Sequence, residues 1–292
     1  MSKKVKIAIL FIMFFCGTSL CAQAAISSGA PAPSEPQEMH DFSISGYGAR
    51  GEKTWEVEGA SMDMVGNDVN ISDITAHLFG EKENMVLTAD EGRFDRQSGV
   101  VRLTKNVRAV TDTGAKLATD SLDWSQKEQV VSTDEEVNIT KENMTATAKG
   151  MLARPDFKVA KFEKDVKLTV DKKSDAKKGL PEPQAAKGQM TITCDGPMEM
   201  DYNKHYATFE KNVRVEGDEE QGTMIADKMT ITFNPDSKQI ERMDAEGHVR
   251  IIKGENVSES EGAVFTASDK KLVLTGRPKL TFYAEEGLDV SP

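Results

Sequence analysis

The sequence predicts an all-β protein, built as an elongated two-sheet roll of serial antiparallel strands. Three observations lead to this expectation: apolar and polar residues alternate along many short stretches, two similar strings recur along the chain, and turn residues separate them. No amphipathic helical run of useful length interrupts this pattern. Because alternation gives each strand one apolar face, stacked units would bury a continuous apolar strip along the roll.

The N-terminal residues have the features of an export signal. Lys3, Lys4 and Lys6 precede an apolar run over residues 7–20, and Ala-Gln-Ala follows at 22–24. The run is short for a membrane span, which needs roughly 20 apolar residues. Residues 1–24 are therefore predicted to be a signal peptide, with an uncleaved membrane anchor as the alternative, and the Ser/Pro/Ala-rich residues 25–38 a linker.

The charge balance argues against a nucleic-acid partner, which would require a basic face. The chain has 37 Lys and Arg against 48 Asp and Glu, and removal of the three signal lysines changes the net charge from −11 to −14. An acidic chain also argues against recognition of anionic lipid head groups by a broad basic patch, so the tails of a lipid ligand would do most of the binding. Cys194 is the one cysteine outside the signal, and we expect a small, half-buried strand residue there.

A repeated string gives the strongest internal signal. Each copy has an apolar alternating stretch, a polar pair or triplet, an aliphatic residue and further alternation, as in KFEKDVKLT (161–169) and TFEKNVRVE (208–216). A second string, such as LTADEGRFD (87–95), falls between the copies, so each unit is predicted to contain two strands. The aliphatic residue after the polar group falls at Val107, Val137, Val166, Val213, Val249 and Leu280.

A break in this pattern predicts a domain boundary. Residues 172–189 are rich in Lys, Pro and Ala and interrupt the alternation on both sides. We therefore expect one β-unit over residues 39–171, a linker or insertion over 172–189, a second β-unit over 190–283 and a tail over 284–292.

Two stretches resemble known families. GEKTWEVEGA (51–60), NDVNISDI (67–74) and LTADEG (87–92) resemble the periplasmic domain of the lipopolysaccharide-export family LptC, over about residues 39–170. ATFEKNVRVEGDEEQGTMIADKMTITF (207–233) resembles the LptA (OstA-like) family of the same machine, over about residues 190–283. The order of the two resemblances indicates an LptC–LptA fusion.

The resemblance implies a fold and a function. Both families are open β-jellyrolls of V-shaped cross-section, which bind the acyl chains of lipid A inside. A fusion would be a non-enzymatic periplasmic protein that carries lipopolysaccharide from an inner-membrane ABC transporter toward the outer-membrane translocon. Its ends would join other LptA-like units or the translocon by strand pairing. Members of the LptC family usually keep an N-terminal anchor, whereas the Ala-Gln-Ala pattern here predicts cleavage.

The apolar strip is the candidate lipid site. Few Trp or Tyr residues interrupt its aliphatic side chains, and such a surface suits acyl chains that slide, since each buried methylene contributes about 0.8 kcal/mol. The candidate lipid-binding residues of this inner face are Val101, Leu103, Val107, Val137, Ile139, Phe162, Val166, Leu168, Phe209, Val213, Val215, Met229, Ile231, Phe233, Val249, Ile251, Leu272, Leu274, Leu280 and Phe282.

Other chemistry finds no support in the sequence. The four histidines are scattered without ligand spacing, no nucleophile or phosphate-loop motif is present, and neither a cofactor nor a metal is expected. The rival interpretation is a structural β-repeat scaffold, an adhesin-like rod whose apolar strip is a dry core.

Overall fold

The computed structural model describes residues 37–283 apart from 49, 81–82, 126, 155–158, 172–188, 218–221 and 236–239. These residues form seventeen β-strands and no helix, and the strands pair antiparallel, which confirms the predicted all-β class. None of the described residues belongs to a helix of the length and apolarity that a membrane crossing requires. The predicted signal peptide, most of both predicted linkers and the tail lie outside the described residues.

The strands are long, and most have ten residues or more. They are β1 (Gln37–Tyr47), β2 (Lys53–Val65), β3 (Asp68–Leu78), β4 (Met85–Asp95), β5 (Val100–Thr111), β6 (Lys116–Ser125), β7 (Val130–Lys141), β8 (Met144–Ala153), β9 (Val159–Asp171), β10 (Gln189–Cys194), β11 (Met198–Asp201), β12 (Tyr206–Glu216), β13 (Thr223–Phe233), β14 (Ile240–Lys253), β15 (Asn256–Thr266), β16 (Lys271–Thr275) and β17 (Lys279–Thr281).

The chain divides into two compact units, Met1–Thr133 and Asp134–Pro292. In the first unit β1 to β6 pair in chain order. In the second unit β9 pairs with β8 along one edge and with β10 and β11 along the other. The strands on the two sides of residues 172–188 are therefore direct neighbours in the sheet.

Many strands bend near their middle, at what we call a corner. In β5 the corner is Lys105 and Asn106, in β12 Lys211 and Asn212, and both residues of each pair have positive φ. Strand registers shift by one residue at these places, as at a β-bulge, which bends a strand and increases its twist. Asparagine tolerates this left-handed conformation better than most residues, so the polar pair of the repeat encodes the bend.

The corners lie inside strands and not in turns between them. Acidic pairs that recur with a repeat, such as Asp90 and Glu91, are typical of solvated turns in a sequence, but here both belong to β4. The Asn106 amide donates a hydrogen bond of 2.6 Å to Asp90 Oδ2 on the neighbouring strand. Asn212 donates in the same way to Asp195 Oδ2, at 2.7 Å. These acidic residues thus hold adjacent corners together.

Candidate functional site: an apolar inner face

The aliphatic residue after each corner is buried in five copies of the repeat. Its side chain has an exposed fraction of 0 to 2 % in those copies, whereas the sixth, Leu280 in the terminal strand β17, is 53 % exposed. The buried members are Val107, Val137, Val166, Val213 and Val249. The corner therefore fixes which residues face inward on the strand segments before and after it.

Cross-strand register arranges the inner face of the second unit into rows. One row runs over β8, β9, β11, β12 and β13, where phenylalanine and methionine alternate and every member is buried. Its directly opposed residues are Met151, Phe162, Met198, Phe209 and Met229. We call the strand segments that carry this row the Phe209 arm.

A second row lies on the other side of the corners. Ala146, Leu168, Ile192, Val215 and Met224 are directly opposed across β8, β9, β10, β12 and β13. We call the strand segments that carry this row the Val215 arm. Residues 172–188 separate β9 from β10 and β11 in the sequence, but β9 pairs directly with both strands. Both rows therefore continue without a break from β9 to the strands that follow.

The two arms fold toward each other. Their buried side chains lie on the same face of the sheet, and no helix of the described residues covers that face. We call the strand ends farthest from the corners the tips. At the tips, the Lys141 ammonium lies 6.0 Å from the centroid of the Tyr202 ring. Lys141 ends β7, three residues before β8 enters the Val215 arm at Met144, whereas Tyr202 directly follows β11 in the Phe209 arm. The sheet thus closes around the apolar rows, with its corners on one side and its strand tips on the other.

Of the sequence-predicted site residues, thirteen are buried. Ile139, Phe233, Ile251 and Leu274 are half-buried, and Leu272, Leu280 and Phe282 are exposed on or beside the last two strands. The buried ones are Val101, Leu103, Val107, Val137, Phe162, Val166, Leu168, Phe209, Val213, Val215, Met229, Ile231 and Val249. The exposed three lie at the end of the pairing order, where β16 and β17 pair with β15.

Sequence reasoning missed several buried members of the same face, including Met151, Ile192 and Met198. Met151 belongs to β8, whose inward positions change parity across the corner, whereas Ile192 and Met198 keep one parity across the break between β10 and β11. In β13, for example, Ala226 and Met229 both face inward although they are three residues apart. A one-residue register shift produces this change, and simple alternation does not detect it.

Cys194 lies on the inner face beside the corner. It is paired in register with Val166 and is buried. Burial raises the pKa of its thiol to about 11, and the Sγ atom donates to the Gly196 carbonyl at 3.4 Å. The thiol is therefore protonated at neutral pH and packs as a small apolar group.

Trp55, a large residue of the family-like string, packs within the first unit. Its buried ring lies over Gly46 on β1, where an added Cβ would be 2.1 Å from the indole Nε1. This contact gives Trp55 a structural role between β1 and β2.

Comparisons with known proteins assign both halves of the chain. Residues 7–171 match the family described as lipopolysaccharide-assembly, LptC-related. Residues 191–290 match the family described as LptA/(LptD N-terminal domain) LPS transport protein. No curated protein matches the chain. The chain therefore belongs to the LptC-related lipopolysaccharide-assembly family and carries an LptA-type transport region in tandem, as an LptC–LptA fusion would.

Proposed function

We propose that this periplasmic transport protein binds lipopolysaccharide by its acyl chains and conducts it along the inner face. The observation that carries the proposal is the continuity of the apolar rows. Phe162, in the LptC-related region, is directly opposed to Met198, in the LptA-type region, and both are buried. An acyl chain can therefore pass from one region to the next without leaving apolar surroundings.

The composition of the rows suits movement rather than tight recognition. Aliphatic residues, methionine and phenylalanine offer no fixed polar contact, and methionine adapts its shape to its neighbours. Because adjacent strands present similar surfaces, neighbouring positions bind a methylene chain with similar free energy. The sequence has no nucleotide-binding motif, so the energy for transfer comes from an inner-membrane ABC transporter.

The two ends of the chain serve as joints in this proposal. The N-terminal strands, from Phe42 to Trp55, face the transporter. The last strands, from Leu272 to Phe282, pair with a further LptA-like unit or the outer-membrane translocon. Their exposed apolar side chains, Leu280 and Phe282, are typical of a sheet edge that is covered by a partner strand.

A dry structural rod is the second candidate. The near-complete burial of Phe209 and Val213 favours it, because a filled core leaves no room for a ligand unless the arms separate.

Site-specific photo-crosslinking separates the two candidates. A photoreactive amino acid is placed at Val213 on the inner face and at Arg214 on the outer face, in a cell that makes lipopolysaccharide. Ile251, half-buried and inward, with the neighbouring exposed Arg250, gives a second pair that disturbs the core less. We expect lipopolysaccharide adducts at Val213 and Ile251 but not at the two arginines. Absence of adducts at both inner positions, in protein that is folded and exported, would establish the rod.

A further inference from the structure

The contact between Lys141 and Tyr202 joins the tips of the two arms. The tips bound the side of the roll opposite the corners, which is the mouth of the apolar groove. We propose that Lys141 and Tyr202 form a latch that holds this mouth closed and releases it for lipid passage. This proposal rests on the proposed function, because opening the mouth has a biological purpose only if lipid passes through the groove.

Each tip is firmly built within its own arm. On the Phe209 arm, the backbone amides of Asn203 and Lys204 donate to Asp201 Oδ1 at 2.9 and 3.1 Å, which fixes the hairpin that carries Tyr202. On the Val215 arm, the backbone amide of Asp171 donates to the Asn143 carbonyl at 2.9 Å, and the Asn143 side chain donates back to the Asp171 carbonyl.

The contact across the mouth is of a different kind. A cation over an aromatic ring in a partly exposed place is weak, and its geometry tolerates displacement. Tyr202 is 39 % exposed, so water can replace the ring around the ammonium. The arms therefore separate more easily at this contact than either tip unravels.

The charges around the latch keep the ring neutral. Partial burial raises the pKa of the Tyr202 hydroxyl, and the neighbouring carboxylate of Glu142 raises it further. A neutral phenol ring with a lysine above it is the state in which the cation–π contact forms.

The position of the latch matches the junction of the two family regions. Lys141 belongs to the LptC-related region and Tyr202 to the LptA-type region. Strand β9, whose inner residues begin the passage between the regions, pairs with β11 just before Tyr202. Opening at this place exposes the row through Phe162 and Met198.

Cys194 provides an internal probe of opening. With Cys16 and Cys21 changed to serine, the full chain has one thiol, and that thiol is buried on the inner face. Its rate of reaction with N-ethylmaleimide under native conditions, without lipid, measures how often the groove opens. We expect Lys141→Met and Tyr202→Leu each to raise this rate about two- to five-fold. Loss of an exposed cation–π pair changes the equilibrium between closed and open groove by a factor of this size.

Two controls isolate the latch. Tyr202→Phe keeps the ring and should react at the wild-type rate. Lys204 lies 5.9 Å from the Tyr206 ring, but this pair belongs to one hairpin, so Lys204→Met should leave the rate unchanged. The latch is refuted if Lys141→Met and Tyr202→Leu both react like the wild type, or if Lys204→Met accelerates the reaction equally. The thiol assay contains no lipid, so its outcome tests only the latch. A failure of lipid crosslinking at Val213, in the separate experiment, would refute the proposed function but not the latch.

Discussion

The aliphatic residues that follow the corners differ in burial, and this difference predicts that truncating them lowers the free energy of unfolding by very different amounts. Val213→Ala removes two carbons from a fully buried side chain, a loss of about 1.6 kcal/mol in transfer free energy. The cavity of roughly 50 Å³ adds about 1 kcal/mol, so we expect the free energy of unfolding to fall by about 2 to 3 kcal/mol. Leu280→Ala removes more carbon, but that side chain is 53 % exposed, and its cost should be about 1 kcal/mol or less.

The chain carries separate probes for its two units. Trp55 and Trp124, the only tryptophans, belong to the first unit, so their fluorescence follows its unfolding in urea. Cys194 belongs to the second unit, so labelling it with a short pulse of thiol reagent at each urea concentration measures the unfolding of that unit. With a urea slope of about 2 kcal/mol per molar, Val213→Ala should lower the midpoint from thiol labelling by about 1 M or slightly more.

Val107→Ala, the equivalent change in the first unit, should give a loss of similar size in the tryptophan signal. Two results would contradict this reasoning. One is a Leu280→Ala variant as unstable as Val213→Ala, which would place the terminal strand in the core. The other is a Val213→Ala variant within about 0.5 kcal/mol of the wild type, a cost typical of surface positions.

Two further predictions follow from single contacts. Gly46→Ala should cost about 1 to 3 kcal/mol, because the new methyl group overlaps the Trp55 ring; an equal cost in a Trp55→Leu background would exclude this steric cause. The pKa of His248 should exceed its ordinary value of 6.5, since Asp227 bonds to Nδ1 at 2.7 Å and adds negative charge. The resulting stabilisation is complete below the ordinary pKa and is lost as pH rises through the raised one. Titration by nuclear magnetic resonance should show a lower pKa in Asp227→Asn, and an unchanged value would exclude this pairing.

Alternation predicted the strands and the inward residues of one class of strand well. In β5 and β12 the inward positions keep their parity through the corner, so Val101 and Val107 or Phe209 and Val213 were recognisable from sequence alone. The polar pair was also recognisable, but its backbone conformation was not. Two polar residues in a row are compatible with a turn and with a bulge, and only the strand pairing distinguishes the two.

The rest of the site depended on register, which no local pattern encodes. Met198 and Phe162 are opposed because β11 pairs with β9 across an intervening segment of the chain. The cation–π contact of Lys141 joins residues sixty-one positions apart in sequence, and depends on how the sheet folds. Likewise, Leu280 follows the repeat as well as Val213 does. It is nevertheless exposed, because its strand β17 lies at the end of the pairing order.

The pairing of β9 with β10 and β11 also has a consequence for assembly. In two separate polypeptides, such a joint would form and dissociate according to their concentrations. Here both partners belong to one chain, so the joint experiences an effective concentration of the order of millimolar or higher, whatever the amount of protein present. This joint should therefore persist on dilution, and under the proposed function each transporter would receive the two regions in a fixed ratio of one to one.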